Sequence, residues 1–166
     1  MVEVVRAADI EGGIVVGHDG SRNSTTALEW AARLAARLDR PLHVLRAWSI
    51  SNAPRPASFT GGYVPPLPEF AAAVREALAD DVARAEIPDG LEVTLHTCHG
   101  AAGQRLVESA TRADLLVMAS RGAGGFRGLR FGSTADQVVR HAPCPVVVVP
   151  VGSGDEGRGL DLPEPD

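Results

Sequence analysis

Short apolar runs alternate with longer amphipathic segments along most of this chain, and this alternation is the feature that most constrains its fold. The apolar runs lie within residues 12–21, 41–50, 91–98, 114–120 and 144–151. The intervening segments repeat apolar residues at helical spacing, which predicts helices over 23–39, 69–86, 100–113 and about 133–141. The predicted order is therefore β-α-β-α-β-α-β-α-β, with a long surface loop over the proline- and glycine-rich residues 51–68.

The strands are apolar on both faces, and this is typical of a parallel sheet covered by helices on either side. The chain is therefore predicted to be a single α/β domain of the Rossmann-like type over residues 12–151. Residues 1–11 are predicted to be a flexible N-terminal segment and residues 152–166 an acidic, disordered tail. Ligands of such sheets bind at the carboxyl ends of the strands, where the strand order reverses. The candidate ligand-binding loops are therefore residues 17–24, after the first strand, and residues 119–133, after the fourth.

Composition excludes several classes of function. The net charge of −5 and the aromatic fraction of 4% argue against nucleic-acid binding. Two cysteines do not make a disulfide framework, so a reducing compartment is expected. With no apolar stretch long enough to span a membrane and no signal-peptide pattern, we expect a cytoplasmic protein. All 16 basic residues are arginine, which excludes a P-loop lysine and a Schiff-base lysine.

Loop 119–133 combines five glycines with "GST" at the start of a predicted helix. Glycines let main-chain N–H groups approach a ligand, and a helix N-terminus adds donors and partial positive charge. These features predict an anion cradle, with phosphate as the commonest anion. A plain surface loop followed by a helix capped at Ser133 is the alternative.

Loop 17–24 places Asp19 just after the first strand, where its carboxylate could accept from an amine or a ribose hydroxyl, or simply form an Asx-turn. Weaker candidates are a metal site at His96, Cys98 and His99, and a hydrolytic triad of His18, Asp19 and Ser120. An apolar patch or subunit contact could form from Phe126, Leu129 and Phe131.

Taken together, the two loops resemble the universal stress protein family over about residues 12–151. The nucleotide-binding branch of that family carries G-x-x-G, nine residues and G-[ST] after the fourth strand. Ala119, Gly122, Gly132 and Ser133 occupy the matching positions, so alanine stands at the first glycine of the motif. The family also has a branch that lacks the motif and does not bind ATP.

The resemblance implies an open five-stranded parallel sheet, of the adenine-nucleotide α-hydrolase-like type, that binds ATP together with Mg²⁺ or Mn²⁺. The implied contacts are Gly122, Gly132, Ser133 and Thr134 with the phosphates, Gly17 and Ala119 with the ribose, and Asp19 and the Ala47 main chain with adenine. It also implies a homodimer formed through the last strand, at Pro145, Val146, Val147, Val148 and Val149.

We therefore expect an ATP-binding stress-response regulator with, at most, slow ATP hydrolysis. The alternatives are a dimeric scaffold that does not bind nucleotide, and a slow ATP-hydrolysing or adenylating enzyme on the same fold.

Overall fold

The computed structural model describes residues 2–122 and 131–151, and its elements alternate as predicted. The strands are β1 (Ile14–Gly17), β2 (Leu42–Trp48), β3 (Val93–His99), β4 (Leu115–Ala119) and β5 (Val146–Val149). The helices are α1 (Arg22–Arg37), α2 (Leu67–Arg84), α3 (Ala102–Ser109) and α4 (Ser133–His141). The predicted acidic tail, residues 152–166, lies outside the described residues.

The five strands form one sheet in the order β3-β2-β1-β4-β5, and every pairing is parallel. Helices α1 and α2 cover one face of the sheet, and α3 and α4 cover the other. The predicted fold class is therefore confirmed. From β1 the chain steps outward to β3, then returns to the other side of β1 to add β4 and β5. The strand order reverses between β1 and β4.

The core is apolar on both faces of the central strands, as the continuous apolar runs predicted. Val15 and Val16 point to opposite faces of β1, and both are completely buried. Burying a side chain of this size stabilises the fold by about 1.5–3 kcal/mol. Helix α1 turns Ala27, Ala31 and Ala35 toward the sheet, and these small residues let the helix approach it closely.

A polar junction fixes the amino ends of the central strands. The Asp114 carboxylate accepts hydrogen bonds from the Gly13 N–H at 2.7 Å and from Arg40 Nε at 2.9 Å. Gly13 has φ +77°, and a Cβ at this position would lie 2.7 Å from the Pro41 carbonyl oxygen. Glycine is therefore required here, because a side chain would be both strained and in collision with the main chain.

Helix α3 is shorter than the predicted 100–113, at residues Ala102–Ser109. Gly100 has φ +136°, which cannot be part of a helix. At the other end the Thr111 hydroxyl donates to the Glu108 carbonyl, and this local bond helps the chain turn away.

Residues 2–11 form neither a helix nor a strand, and several of them contact the domain. The Val5 carbonyl accepts from the His99 N–H at 2.7 Å, beside the edge strand β3. The Ala8 N–H donates to Ser109 Oγ at 2.9 Å, and Ile10 is buried in the core beneath α3. Over residues 2–122 and 131–151 no helix is long and apolar enough to cross a membrane.

Two histidines meet between β2 and β3. His43 Nδ1 lies 3.0 Å from His96 Nε2, so one proton is shared between them in a hydrogen bond. Burial, the neighbouring His43 and Arg75 lower the pKa of His96 to about 4. Burial also lowers the pKa of His43, against the opposing effect of Glu92. The pair is therefore neutral at pH 7.

We predict that this pair makes the folded protein sensitive to acid. An unfolded histidine has a pKa of about 6.5, so between pH 6.5 and 4 the unfolded chain binds more protons than the folded one. The free energy of unfolding should therefore fall as the pH drops through this window. His96→Gln should reduce that fall in urea-unfolding series. Equal pH dependence in His96→Gln and the wild type would contradict the prediction.

Candidate functional site

A cavity of about 280 Å³ opens at the carboxyl ends of β1, β2 and β4, between the loops that follow β1 and β4. This volume is near the lower end of the range for small-molecule sites. All the residues predicted as contacts line it: Gly17, Asp19, Ala47, Ala119, Gly122, Gly132, Ser133 and Thr134. They come from distant parts of the sequence, and the reversal of strand order brings them together.

The loop after β1 is built around Asp19. Asp19 Oδ1 accepts from the Ser21 N–H at 2.9 Å, so the side chain does form the Asx-turn that is one interpretation of the sequence. Ser21 then caps α1, because its Oγ accepts from the Ser24 N–H at 3.2 Å. The turn needs Gly20, which has φ +85° and leaves room for the Arg46 guanidinium.

The second carboxylate oxygen of Asp19 faces the loop after β4. A Cβ added to Gly122 would lie only 2.6 Å from Asp19 Oδ2. Gly122 therefore has to lack a side chain for Asp19 to hold this position. The two loops thus meet where the strand order reverses. One carboxylate oxygen of Asp19 forms the turn after β1, and the other lies beside Gly122 in the loop after β4.

Gly132 differs from Gly122 in what surrounds it. Its N–H donates to the Ser120 carbonyl at 2.8 Å, and its φ of −69° is one that any residue adopts. Among the described residues, no heavy atom would come closer than 3.7 Å to a Cβ added there. Neither the local backbone nor the described packing thus requires glycine at position 132, although the position lines the cavity.

Ala119 is the last residue of β4, opposite Val149 of β5. It belongs to the buried cluster beneath α1, and among the described non-glycine residues only Asp39 has a positive φ. Alanine at this position of the motif therefore strains nothing, because the residue is an ordinary strand end.

Helix α4 begins at the cavity. Its N-cap is Gly132, which has no side chain to bond the first N–H groups of the helix, and Ser133 and Thr134 follow within the cavity lining. The first turn of a helix carries partial positive charge. Asp136 is also in this turn, and its carboxylate accepts from Arg140 Nε at 3.1 Å. The arrangement suits an anion held by main-chain N–H groups and hydroxyls.

Strand β2 contributes main-chain groups. The Leu45 carbonyl accepts from the His18 N–H at 2.9 Å, on the side of β2 that faces β1. Alternate residues of a strand direct their N–H and C=O groups to the same side. Ala47 therefore directs its N–H and C=O toward the space beyond Gly17, where β1 has ended. A ligand in the cavity meets a paired donor and acceptor there.

The hydrolytic triad considered from the sequence is not formed. His18 Nδ1 accepts from the Gly20 N–H at 3.2 Å, and Nε2 lies 3.1 Å from Thr25 Oγ1, so both ring nitrogens are engaged. Burial lowers the pKa of His18 despite the opposing charges of Asp81 and Asp19. Ser120 Oγ instead accepts from the Val151 N–H at 3.1 Å. The geometry thus gives Ser120 no histidine base.

The cavity lining also includes residues that were not predicted as contacts, among them the polar residues Arg46 and Asn52. The Arg46 guanidinium is buried, with one nitrogen 3.7 Å from Asp81 of α2. An arginine in the middle of the apolar run "LHVLRAW" was a signal that could have found it. Asn52 lies in the long loop after β2, and the sequence pattern does not predict where a residue of this loop lies relative to the cavity.

The other candidates from the sequence have ordinary surroundings. Across residues 2–122 and 131–151 no three histidine, cysteine or acidic side chains are grouped so as to hold a metal ion. Cys98 is buried, and burial raises the pKa of its thiol. Phe131 is 40% exposed, and Phe126 and Leu129 lie outside the described residues.

The comparisons with known proteins agree on one family. The sequence profile of the universal stress protein family matches residues 13–150. Universal stress protein Rv1996 of Mycobacterium tuberculosis is 32% identical over 151 residues, which are 83% of this chain and 48% of that protein. The chain thus spans about half the length of this curated relative.

Solved structures show the same fold. A universal stress protein crystallised in complex with cAMP is 28% identical, with a TM-score of 0.56, over 86% of this chain and 98% of that one. A family member from Burkholderia pseudomallei is 28% identical, with a TM-score of 0.58, over 83% of this chain and 95% of that one. Residues 13–150, which match the family profile, include both loops that border the cavity. The chain belongs to the universal stress protein family.

Proposed function

We propose that this chain binds an adenine nucleotide, ATP, in the cavity between β1 and β4, and that it acts in the cytoplasm as a nucleotide-dependent stress-response regulator. The observation that carries the proposal is the convergence of the predicted contact residues on one cavity at the start of α4. A helix N-terminus and glycine-lined main chain suit phosphate.

The chemistry of the lining suggests how the nucleotide lies. The phosphates contact the main chain at Gly122 and Gly132 and the hydroxyls of Ser133 and Thr134. The ribose lies near Gly17 and Ala119, at the ends of β1 and β4. Adenine meets Asp19 and the main chain of Ala47, whose C=O and N–H match the amino group and N1 of the ring. Mg²⁺ or Mn²⁺ accompanies the phosphates, mostly retaining its water.

The comparison structures support a nucleotide as the ligand. The 28% identical universal stress protein was solved with cAMP, which contains the same adenosine unit as ATP. The phosphate chain is the part that differs, so the residues at the start of α4 decide between the two.

Binding, rather than fast catalysis, is the task that fits these residues. The chain has no lysine to clamp a transferring phosphoryl group, and both nitrogens of His18 are engaged in the β1 loop. A bound nucleotide would instead stabilise one arrangement of the loops after β1 and β4, and thereby change the surface that a partner meets.

We predict that Gly132→Val abolishes ATP binding while leaving the fold intact. The valine side chain would occupy ligand space, whereas the described protein atoms leave room for its Cβ. Calorimetric titration of the nucleotide-free protein with ATP and Mg²⁺ should give micromolar affinity for the wild type and no heat for the variant. Thermal unfolding should show similar stability for both proteins.

Ala101→Val is the matched control, because Ala101 is the N-cap of α3, is exposed, and does not line the cavity. This control should bind ATP like the wild type. Unchanged ATP affinity in Gly132→Val would show that the nucleotide binds elsewhere. No heat from the wild type at millimolar ATP would contradict the proposal that the protein binds ATP.

We further propose that the protein forms a homodimer through β5, the edge strand beside β4. The Pro145 carbonyl accepts from the N–H of Leu116 in β4, and the Val149 carbonyl accepts from the N–H of Ser120, which follows β4. Since directions alternate along a strand, Val146 and Val148 direct their N–H and C=O groups away from the sheet. An edge of this kind pairs readily with a second copy.

Val148→Pro should convert the dimer to a monomer. Proline removes an outward N–H while the bonds between β5 and β4 remain. Val148→Ala, which keeps that N–H, should stay dimeric in sedimentation-velocity experiments. A dimer of undiminished stability in Val148→Pro would show that β5 does not pair through its edge.

A further inference from the structure

Asn52 lies at the rim of the cavity in a closed turn. The Ser49 N–H donates to Asn52 Oδ1 at 2.8 Å, and the N–H groups of Asn52 and Ala53 both donate to the Ser49 carbonyl, at 3.1 and 2.9 Å. Because the Ser49 N–H is a donor, the oxygen of the Asn52 amide must face it. The orientation of the side-chain amide is therefore fixed by the main chain.

The same turn is anchored to the core. Ala53 packs against the cluster formed by Trp48, Phe70 and their neighbours, which connects the end of β2 to α2. Asn52 is exposed, yet it lines the cavity, and it is the residue that the long loop after β2 contributes to the lining. The Ser49 N–H fixes the position of the amide oxygen, and the NH₂ group, which can only donate, is the part of the side chain that can bind an acceptor on a ligand.

The position of the base decides which acceptor that group meets. In the proposed pose the Ala47 main chain takes the amino group and N1 of adenine, and the ribose lies inward near Gly17. The purine acceptor next to the amino group, on the side away from N1, is N7. An asparagine that reads adenine with both amide atoms contacts the amino group and N7, and here the donor half of that pair remains.

We propose that Asn52 determines specificity for the purine ring by donating a hydrogen bond to N7. This assignment rests on the proposed function and deepens it: the preferred ligand is a 6-aminopurine nucleotide whose N7 can accept. Ligands of equal charge and shape without that acceptor bind more weakly, because the Asn52 donor is then left without a partner.

Two ligands test the assignment, ATP and 7-deaza-ATP, in which a C–H replaces N7. They carry the same charge, so the ratio of their dissociation constants cancels general electrostatic effects. The wild type should prefer ATP by about fivefold. In Asn52→Asp the carboxylate still accepts from Ser49 but no longer donates, and the preference should fall to less than about twofold.

Asn23→Asp is the matched control, since it adds the same charge on α1 without lining the cavity, and it should keep the wild-type preference. An unchanged preference in Asn52→Asp, or equal binding of the two ligands by the wild type, would overturn the assignment of Asn52 but not the proposed function. Failure of the wild type to bind ATP at all would overturn the proposed function, and the assignment with it.

Discussion

The reversal of strand order between β1 and β4 is the constraint on which the rest of this structure depends. Adjacent parallel strands end at the same edge of the sheet, and their connections diverge where the order reverses. The loop after β1 leaves toward one face and the loop after β4 toward the other, which opens the cavity lined by Gly17 and Ala119. The buried apolar strands supply the stability, and the reversal supplies the site.

Glycine occupies the two motif positions 122 and 132 for different physical reasons. Gly122 lacks a side chain because Asp19, on the opposite loop, occupies the space that a Cβ would need. Gly132 has an ordinary backbone conformation and room for a Cβ among the described residues, so neither its backbone nor the described packing requires glycine. The proposed nucleotide at the start of α4 would require it, because a side chain would occupy the space of the phosphates. Position 119, in contrast, tolerates alanine because it is a strand end packed in the core.

Hydrophobic periodicity and a rule of parallel sheets were sufficient to predict the fold class and the two loops that border the cavity. The individual contacts at the strand ends, Gly17, Ala47 and Ala119, were predicted from the resemblance to the universal stress protein family. The sequence did not reveal the pairing of His43 with His96, which depends on the register of β2 against β3. Nor did it reveal Asn52, because the position of a residue in a long proline-rich loop depends on tertiary anchoring, here at Ala53.

The central claim is that a nucleotide occupies the cavity at the reversal of strand order. Titration of ¹⁵N-labelled protein with Mg²⁺ and ATP, followed by amide chemical shifts, tests it most directly. The account predicts the largest shifts at Gly17, Asp19, Ala47, Gly122 and Gly132, with little change at the amino ends of the strands around Gly13 and Asp114. Shifts concentrated at those amino ends, or no shifts at millimolar ATP, would contradict it.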